Sequence, residues 1–117
     1  MTQARKSPAM SRQEQLNCEI EEWARQHPGL IVDAGYTLDI VGVWIFDIIA
    51  ERQGSGLGSQ FLLWLGKEAD RLGVAVKLSA AGDERLVRWY ERHGFVREGL
   101  PEPGNGTLMT RRPIETA

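Results

Sequence analysis

The sequence contains little cysteine and little histidine, and neither sign of charge dominates it. Cys18 is the one cysteine among 117 residues, which excludes a disulfide within the chain and indicates a reducing, cytoplasmic environment. The two histidines, His27 and His93, each stand at the end of a predicted helix, and we predict no metal site. Lys and Arg number 14 against 16 Asp and Glu and are mixed with them along the chain, which predicts no binding to nucleic acid.

Long apolar runs are also missing. The most apolar segment, residues 41–50, contains Asp47 and is far too short to span a bilayer, and residues 1–10 lack the apolar core of a signal peptide. We therefore predict no membrane association. Residues 1–10 are polar and contain Pro8, so they are interpreted as a disordered tail, and residues 11–117 have a length typical of one domain.

The apolar pattern predicts three helices around a mixed sheet, an α/β (α+β) fold. The helices are expected at 11–26, 57–72 and 83–93, and the strands at 30–32, 37–49, 74–78, 95–97 and 107–110. A capping box from Ser11 to Glu14 opens the first helix. The helical connection between the second and third strands favours their parallel pairing. Both faces of the second strand are apolar, with Trp44, Phe46 and Ile48 on one and Val43, Ile45 and Ile49 on the other.

A glycine-rich turn connects the second strand to the second helix, at Gly54, Gly56 and Gly58. The first amides of a helix have no internal acceptor, and glycines let a phosphate approach them closely. The alternative is that the glycines serve only tight packing of strand on helix. A P-loop is excluded because Ser59-Gln60 follows Gly58 where Lys and Ser or Thr are needed, and the spacing does not fit the dinucleotide fingerprint.

Two segments together resemble a known family. Gln53-x-x-Gly56-x-Gly58 is similar to the Gln/Arg-x-x-Gly-x-Gly/Ala signature of the GNAT superfamily of acetyl-CoA-dependent N-acetyltransferases. Residues 88–95, Arg-Trp-Tyr-Glu-Arg-His-Gly-Phe, resemble the helix-to-strand segment of the same family. The resemblance covers about half the chain, residues 43–96, and the small size resembles compact acetyltransferase-like proteins of bacteria and phages.

The resemblance implies a fold, a co-substrate and site residues. The fold is a mostly antiparallel sheet in which a central strand splays from its parallel neighbour, and acetyl-CoA enters the gap. Backbone groups of Phe46, Asp47 and Ile48 would meet the pantetheine arm, and Tyr90 would protonate the leaving thiolate. The diphosphate would be held by the amides of Gln53, Gly54, Ser55, Gly56, Leu57, Gly58 and Ser59. Asp83 stands where many members have a cofactor-binding asparagine.

Asp47 is the candidate for the general base that takes a proton from the amine. A carboxylate on an otherwise apolar strand is expected to be buried and to bind protons more tightly than usual. The alternative is a carboxylate satisfied by an arginine or a backbone amide. Asp39 and Glu91 are weaker candidates for the same role.

The predicted activity is transfer of an acetyl group to a primary amine, whose identity the sequence does not determine. Little sheet and one helix precede the central strands, whereas most members of the family have more there. A module that binds acyl-CoA or a protein without turnover is therefore the alternative. Trp23 and Trp64 lie on predicted helices, where an exposed patch would favour a homodimer and core packing is the other explanation.

Overall fold

The computed structural model describes residues 11–37, 42–52, 54, 56–80, 84–98 and 106–114. Within these ranges the elements are α1 (Arg12–Gln26), β1 (Leu30–Gly35), β2 (Val43–Ala50), α2 (Leu57–Leu72), β3 (Val76–Ala80), α3 (Glu84–Glu91), β4 (Val96–Arg97) and β5 (Thr107–Arg111). No helix in the described ranges is long and apolar enough to cross a membrane. The predicted tail at 1–10 and the candidate base Asp39 lie outside the described residues.

The helix ends follow from local sequence. The backbone N–H of Glu14 donates to Ser11 Oγ at 3.1 Å, as expected of an N-cap serine. Gly73 follows the last residue of α2 and ends that helix with φ of 69°, a left-handed conformation that glycine adopts without strain. Capping residues thus fix α1 and α2 close to their predicted bounds.

The five strands form one sheet in the order β1-β2-β3-β5-β4. Among the described strands only β2 and β3 run parallel, because α2 carries the chain across the sheet between them. Their pairing is short and joins Val43–Ile45 to Val76–Leu78. From Phe46 onward β2 has no partner on β3, so the two strands diverge toward their carboxyl ends.

All three helices contribute to one core on one face of the sheet. The core cluster contains Leu16 and Ile20 of α1, Phe61 and Leu65 of α2 and Val87 of α3. They pack against the alternate strand residues Val43, Ile45, Val76, Leu78 and Met109. The opposite face carries exposed residues of every strand, including Ile31, Ser79, Val96 and Leu108. No described helix covers that second face, which we call the helix-free face.

A β-bulge interrupts β2 at Phe46. Asp33 pairs with Asp47 and the next residue, Ala34, pairs with Ile45, so Phe46 is the extra residue. The bulge inverts the alternation of β2, because a single inserted residue shifts every later side chain to the other face. The predicted grouping of Trp44, Phe46 and Ile48 on one face is therefore wrong.

The strand bounds differ from prediction where pairing decides them. β1 continues through Asp33, Ala34 and Gly35, which the sequence assigned to a turn, because each has a partner on β2. β3 begins two residues later than predicted, at Val76. Trp23 is only 9% exposed and packs against Phe61 and Trp64 at ring distances of 5.4 and 5.7 Å, so core packing explains these tryptophans.

Candidate active site

The turn between β2 and α2 exposes its backbone. Gly54 and Gly56 have φ of 79° and 84°, in the left-handed region where a side chain is strained. A Cβ added at either glycine would meet no atom within 4 Å. Neither glycine is therefore needed for packing within the described structure, and open space lies in front of both.

The amino end of α2 provides unpaired donors beside this turn. Within the described part of the chain, no acceptor pairs with the backbone N–H groups of Gly58 and Ser59. The first turn of α2 holds no acidic residue, so nothing there offsets the positive end of the helix dipole. Donors, dipole and open space together suit an anion such as a phosphate.

Gly58 fits the packing alternative that the sequence analysis left open. A Cβ at this position would lie 3.2 and 3.3 Å from two ring carbons of Trp89, so Gly58 leaves room for the indole. The indole Nε1 donates to Ser59 Oγ at 3.2 Å. Trp89 is thereby held against the first turn of α2, and α3 is fastened to the start of α2.

We call the depression at the turn the turn cavity. It has a volume of about 390 Å³ and is lined by Ile48, Ala50, Arg52, Gly54, Gly56, Gly58, Ser59 and Trp89. The Arg52 side chain is exposed and supplies a positive charge beside the unpaired amides. Backbone donors are therefore accompanied by a cation that the sequence analysis did not identify.

A second depression, the strand cavity, lies where β2 and β3 diverge. Its volume is about 220 Å³, and its lining is Ile45, Phe46, Asp47, Ile48, Leu78, Ser79, Leu86, Trp89 and Tyr90. Ile48 and Trp89 line both cavities, so the two adjoin. Asp47 and Ser79 belong to the helix-free face of the sheet, whereas Tyr90 comes from the helical layer. The strand cavity thus lies at the gap between the two faces.

Tyr90 is a largely buried residue of the strand cavity. Its side chain is 8% exposed, and its ring packs against Trp89 and Phe95 at 5.0 and 5.6 Å. No hydrogen-bond partner of the hydroxyl occurs among the described residues. Burial raises the pKa of Tyr90 above 10.0, and the negative charge of Asp47 raises it further. The phenol is therefore protonated at neutral pH and can donate a proton into the strand cavity.

Asp47 lies beside this cavity, but it is not buried. The bulge at Phe46 turns Asp47 to the helix-free face, where it is exposed, so the predicted burial is wrong. What remains for Asp47 is its position, at the edge of the cavity that Tyr90 lines.

The predicted site residues come together in large part. Eight of them line the two cavities: Phe46, Asp47, Ile48, Gly54, Gly56, Gly58, Ser59 and Tyr90. The side chain of Leu57 packs against the core. Gln53, Ser55 and Asp83 lie outside the described residues. Glu91, a weaker candidate base, forms an ion pair with Arg97 at 3.1 Å.

Seven residues that line the cavities were not predicted as site residues, and three of them have side chains that can form hydrogen bonds: Arg52, Ser79 and Trp89. Arg52 directly precedes the glycine turn, and Trp89 is the aromatic residue before Tyr90, so both had a signal in the motifs already recognised. Ser79 had none, because its place depends on the register of β3 beside β2.

The fold is similar to solved structures of two other proteins. One is the anti-CRISPR protein AcrVA5, with a TM-score of 0.54 and 20% identity over 70% of this chain and 88% of that one. The other is a histone acetyltransferase HPA2 and related acetyltransferase from Corynebacterium glutamicum, with a TM-score of 0.51 and 19% identity over 93% of this chain and 80% of that one. No protein-family model and no curated protein sequence matches the chain.

The chain has a GNAT-like fold. Three described helices, a mostly antiparallel sheet and one diverging parallel pair agree with the predicted fold class, which is confirmed. At 19 and 20% identity the similarity shows the fold alone. The reaction must therefore be argued from the site.

Proposed function

We propose that this protein is an N-acetyltransferase that transfers an acetyl group from acetyl-CoA to a primary amine. One observation carries the proposal: the turn cavity, beside amides that have no acceptor among the described residues, adjoins the strand cavity, which Tyr90 lines. An anion-binding end and a proton-donating end thus belong to one groove. The primary amine acceptor, the cytoplasmic location and a homodimer stay predictions.

The residues present fit acetyl-CoA at both ends of this groove. The open space at Gly54 and Gly56, the amide of Gly58 and the charge of Arg52 suit a diphosphate. After Ile45, the edge of β2 that faces β3 has no strand partner among the described residues. Such an edge offers amide and carbonyl groups to an extended ligand that has amide bonds of its own. The pantetheine arm of acetyl-CoA is a ligand of this kind.

The chemistry assigned to the chain consists of two proton transfers. Acetyl-CoA supplies a thioester, whose carbonyl carbon accepts a neutral amine: a C–N bond forms and the C–S bond breaks. Tyr90 would give its proton to the departing sulfur. The nitrogen would lose one proton to Asp47, from which it passes to solvent, and solvent returns one to Tyr90. The products are an amide and free CoA, and protons balance.

The affinity for acetyl-CoA tests this proposal when it is compared between variants of two glycines, Gly56 and Gly73, which both have a positive φ. Gly56→Ala is expected to weaken the affinity about tenfold or more, because it strains the turn and fills the space before the amides. Gly73→Ala, at the opposite end of α2 with φ of 69°, imposes the same strain away from the groove and should keep the original affinity. Calorimetric titration of the folded variants gives both constants.

Thermal unfolding provides the simplest refutation. With a Kd of about 10 µM, acetyl-CoA at about 1 mM should stabilise the unchanged protein by about 2.7 kcal/mol. No rise in the unfolding temperature with acetyl-CoA would contradict the proposal.

A further inference from the structure

Trp89 forms part of the wall between the two cavities. Its indole lines both the turn cavity and the strand cavity, whereas Tyr90, the next residue of α3, lines the strand cavity alone. Consecutive residues of a helix belong to one hydrogen-bonded backbone, so they move together. Whatever fixes Trp89 therefore also fixes the distance between Tyr90 and the glycine turn.

The indole is held on two sides. Toward α2, its Nε1 donates to Ser59 Oγ at 3.2 Å, and two of its ring carbons lie where Gly58 leaves room. Toward α3, the ring contacts Tyr90 and His93, with ring centroids 5.0 and 5.7 Å apart. An indole N–H can only donate, and Ser59 supplies its acceptor. The hydrogen bond thus selects one orientation of the ring against α2.

This hydrogen bond ends at the amides that are assigned to the anion. Ser59 is the third residue of α2, and its own backbone N–H has no acceptor among the described residues. The same residue also lines the turn cavity. Ser59, Trp89 and Tyr90 therefore form a continuous connection from the anion-binding end of the groove to the proton donor.

The other contacts of α3 restrain it less. The helix is eight residues long, and its buried residues are Val87 and Tyr90. Its ion pairs with Arg97 of β4, through Glu84 and Glu91, join side chains that are 38–50% exposed. Exposed pairs of this kind contribute little to stability. A directional contact at Trp89 should therefore have a large effect on where α3 lies.

From these contacts we infer that Trp89 is a positioning residue, which holds Tyr90 at a fixed distance from the glycine turn through its hydrogen bond to Ser59. Its part in acetyl transfer rests on the proposed function. With a diphosphate bound at the turn, the thioester sulfur would lie at one place in the strand cavity, and the phenol has to meet it there. An error of about 1 Å in such a placement can lower a rate about 100-fold.

Deletion of the hydrogen bond from either end tests the inference. Trp89→Phe removes the donor and Ser59→Ala removes the acceptor, while the backbone amides of α2 remain. With n-butylamine as the acceptor amine, we expect each variant to lower kcat about tenfold and to change the Kd of acetyl-CoA less than about twofold. Because both variants lose the same bond, the double variant should be no slower than the slower single variant.

Two further variants separate this bond from general damage to the fold. Ser59→Thr keeps a hydroxyl at the same position and should recover most of the kcat that Ser59→Ala loses. Trp64→Phe is the matched control, since it removes an indole N–H from a half-buried residue of α2 outside the groove. It should retain the original kcat.

A titration that needs neither acetyl-CoA nor an amine reports the environment of Tyr90. The chain has two tyrosines, Tyr36 and Tyr90, so isotope-labelled tyrosine gives two signals that NMR follows against pH. Burial raises the pKa of Tyr90, and the charge of Asp47 raises it further. In Trp89→Phe and Ser59→Ala the phenol should meet more water, so its pKa should fall toward 10.0 while the Tyr36 signal stays the same.

The outcomes separate this inference from the proposed function. An unchanged protein that does not bind acetyl-CoA contradicts the proposed function, and the titration then decides whether Trp89 fixes Tyr90. The positioning role is wrong if Trp89→Phe keeps the original kcat, or if Tyr90 titrates alike in all variants. It is also wrong if Ser59→Ala weakens acetyl-CoA binding without lowering kcat, since the hydroxyl would then serve the ligand and not Trp89.

Discussion

Tyr90 is held by aromatic rings on one side and faces a polar opening on the other. Trp89 and Phe95 fix its ring, and Asp47 lies across the strand cavity from the helical layer. Because burial raises its pKa, the hydroxyl keeps its proton to a higher pH than an exposed tyrosine does. A proton donor for a thiolate needs that property, since the leaving sulfur must find the phenol protonated.

Removal of this one hydroxyl should therefore affect turnover and spare binding. We expect Tyr90→Phe to lower kcat about 100-fold, the lower range for a positioned acid. The affinity for acetyl-CoA should change by less than about twofold, since the ring remains. Tyr36→Phe, at the end of β1, is the matched control and should retain full kcat. An unchanged kcat in Tyr90→Phe would mean that another group protonates the sulfur.

At this scale the sequence predicted identities better than environments. Tyr90 and the glycines were found because a local motif surrounds them. The exposure of Asp47 was not, because strict alternation puts residue 47 with Val43 and Ile45 in the core. The bulge at Phe46 depends on which residue of β1 lies opposite, and no neighbouring residue in the chain encodes that register.

The contact between α2 and α3 depends on the absence of a side chain at Gly58. The indole of Trp89 occupies the space that a Cβ would need, and its N–H is satisfied by Ser59. The last glycine of the turn therefore serves helix packing, while Gly54 and Gly56 face open space. One motif thus combines the two explanations that the sequence left as alternatives.

A double-mutant cycle on this contact has a definite expected sign. Gly58→Ala should destabilise the protein by about 1–3 kcal/mol, the usual cost of overpacking. In a Trp89→Phe background the two ring carbons that meet the new Cβ are gone, so the same change should cost at least about 1 kcal/mol less. Urea denaturation of the four proteins measures the coupling. Equal costs in the two backgrounds would show that the indole does not restrict Gly58.

Elements with a local signal were predicted close to their observed bounds. α1 and α2 have capping residues and helical periodicity, and their ends agree with the sequence to within a residue. β1 was predicted too short, because Asp33, Ala34 and Gly35 resemble a turn until β2 pairs with them. Strand ends follow the partner strand, which a single segment does not contain.

The layers of the whole molecule are joined by an ion pair that the sequence did not indicate. Arg111 of β5 donates from Nη1 and Nη2 to the two carboxylate oxygens of Asp70 on α2, at 2.8 and 3.1 Å. The backbone N–H of Ile114 donates to the same carboxylate at 2.8 Å. Arg111 is 7% exposed, so the pair is a buried link between the sheet and the helical layer.

This link predicts how stability depends on pH. Hydrogen bonds from Arg111 hold the pKa of Asp70 below 3.8 in the folded protein. A lowered folded pKa stabilises the protein above the unfolded value, and that contribution is lost as pH falls through the folded pKa, below about pH 4. Asp70→Asn should therefore be less stable near neutral pH by about 2 kcal/mol, and its stability should fall less steeply with acid.

Urea denaturation between neutral pH and about pH 3 measures both effects. Glu68→Gln is the control on the same helix; its carboxylate pairs with the exposed Arg71, so it should cost no more than about 1 kcal/mol. Equal losses in the two variants would contradict a special contribution of Asp70. The sequence could not predict this pair, because 41 residues separate its members and only the tertiary fold brings them together.

The described helices lie on one side of the sheet, which leaves two separate approaches to the place where β2 and β3 diverge. In the reaction proposed above, the acetyl donor would approach from the helical side, where the amides of α2 are, and the acceptor from the other side. Neither molecule would have to leave before the other arrives, so both could be bound at the same moment. Direct transfer would then be sufficient, and no side chain of the protein would have to carry the acetyl group in between.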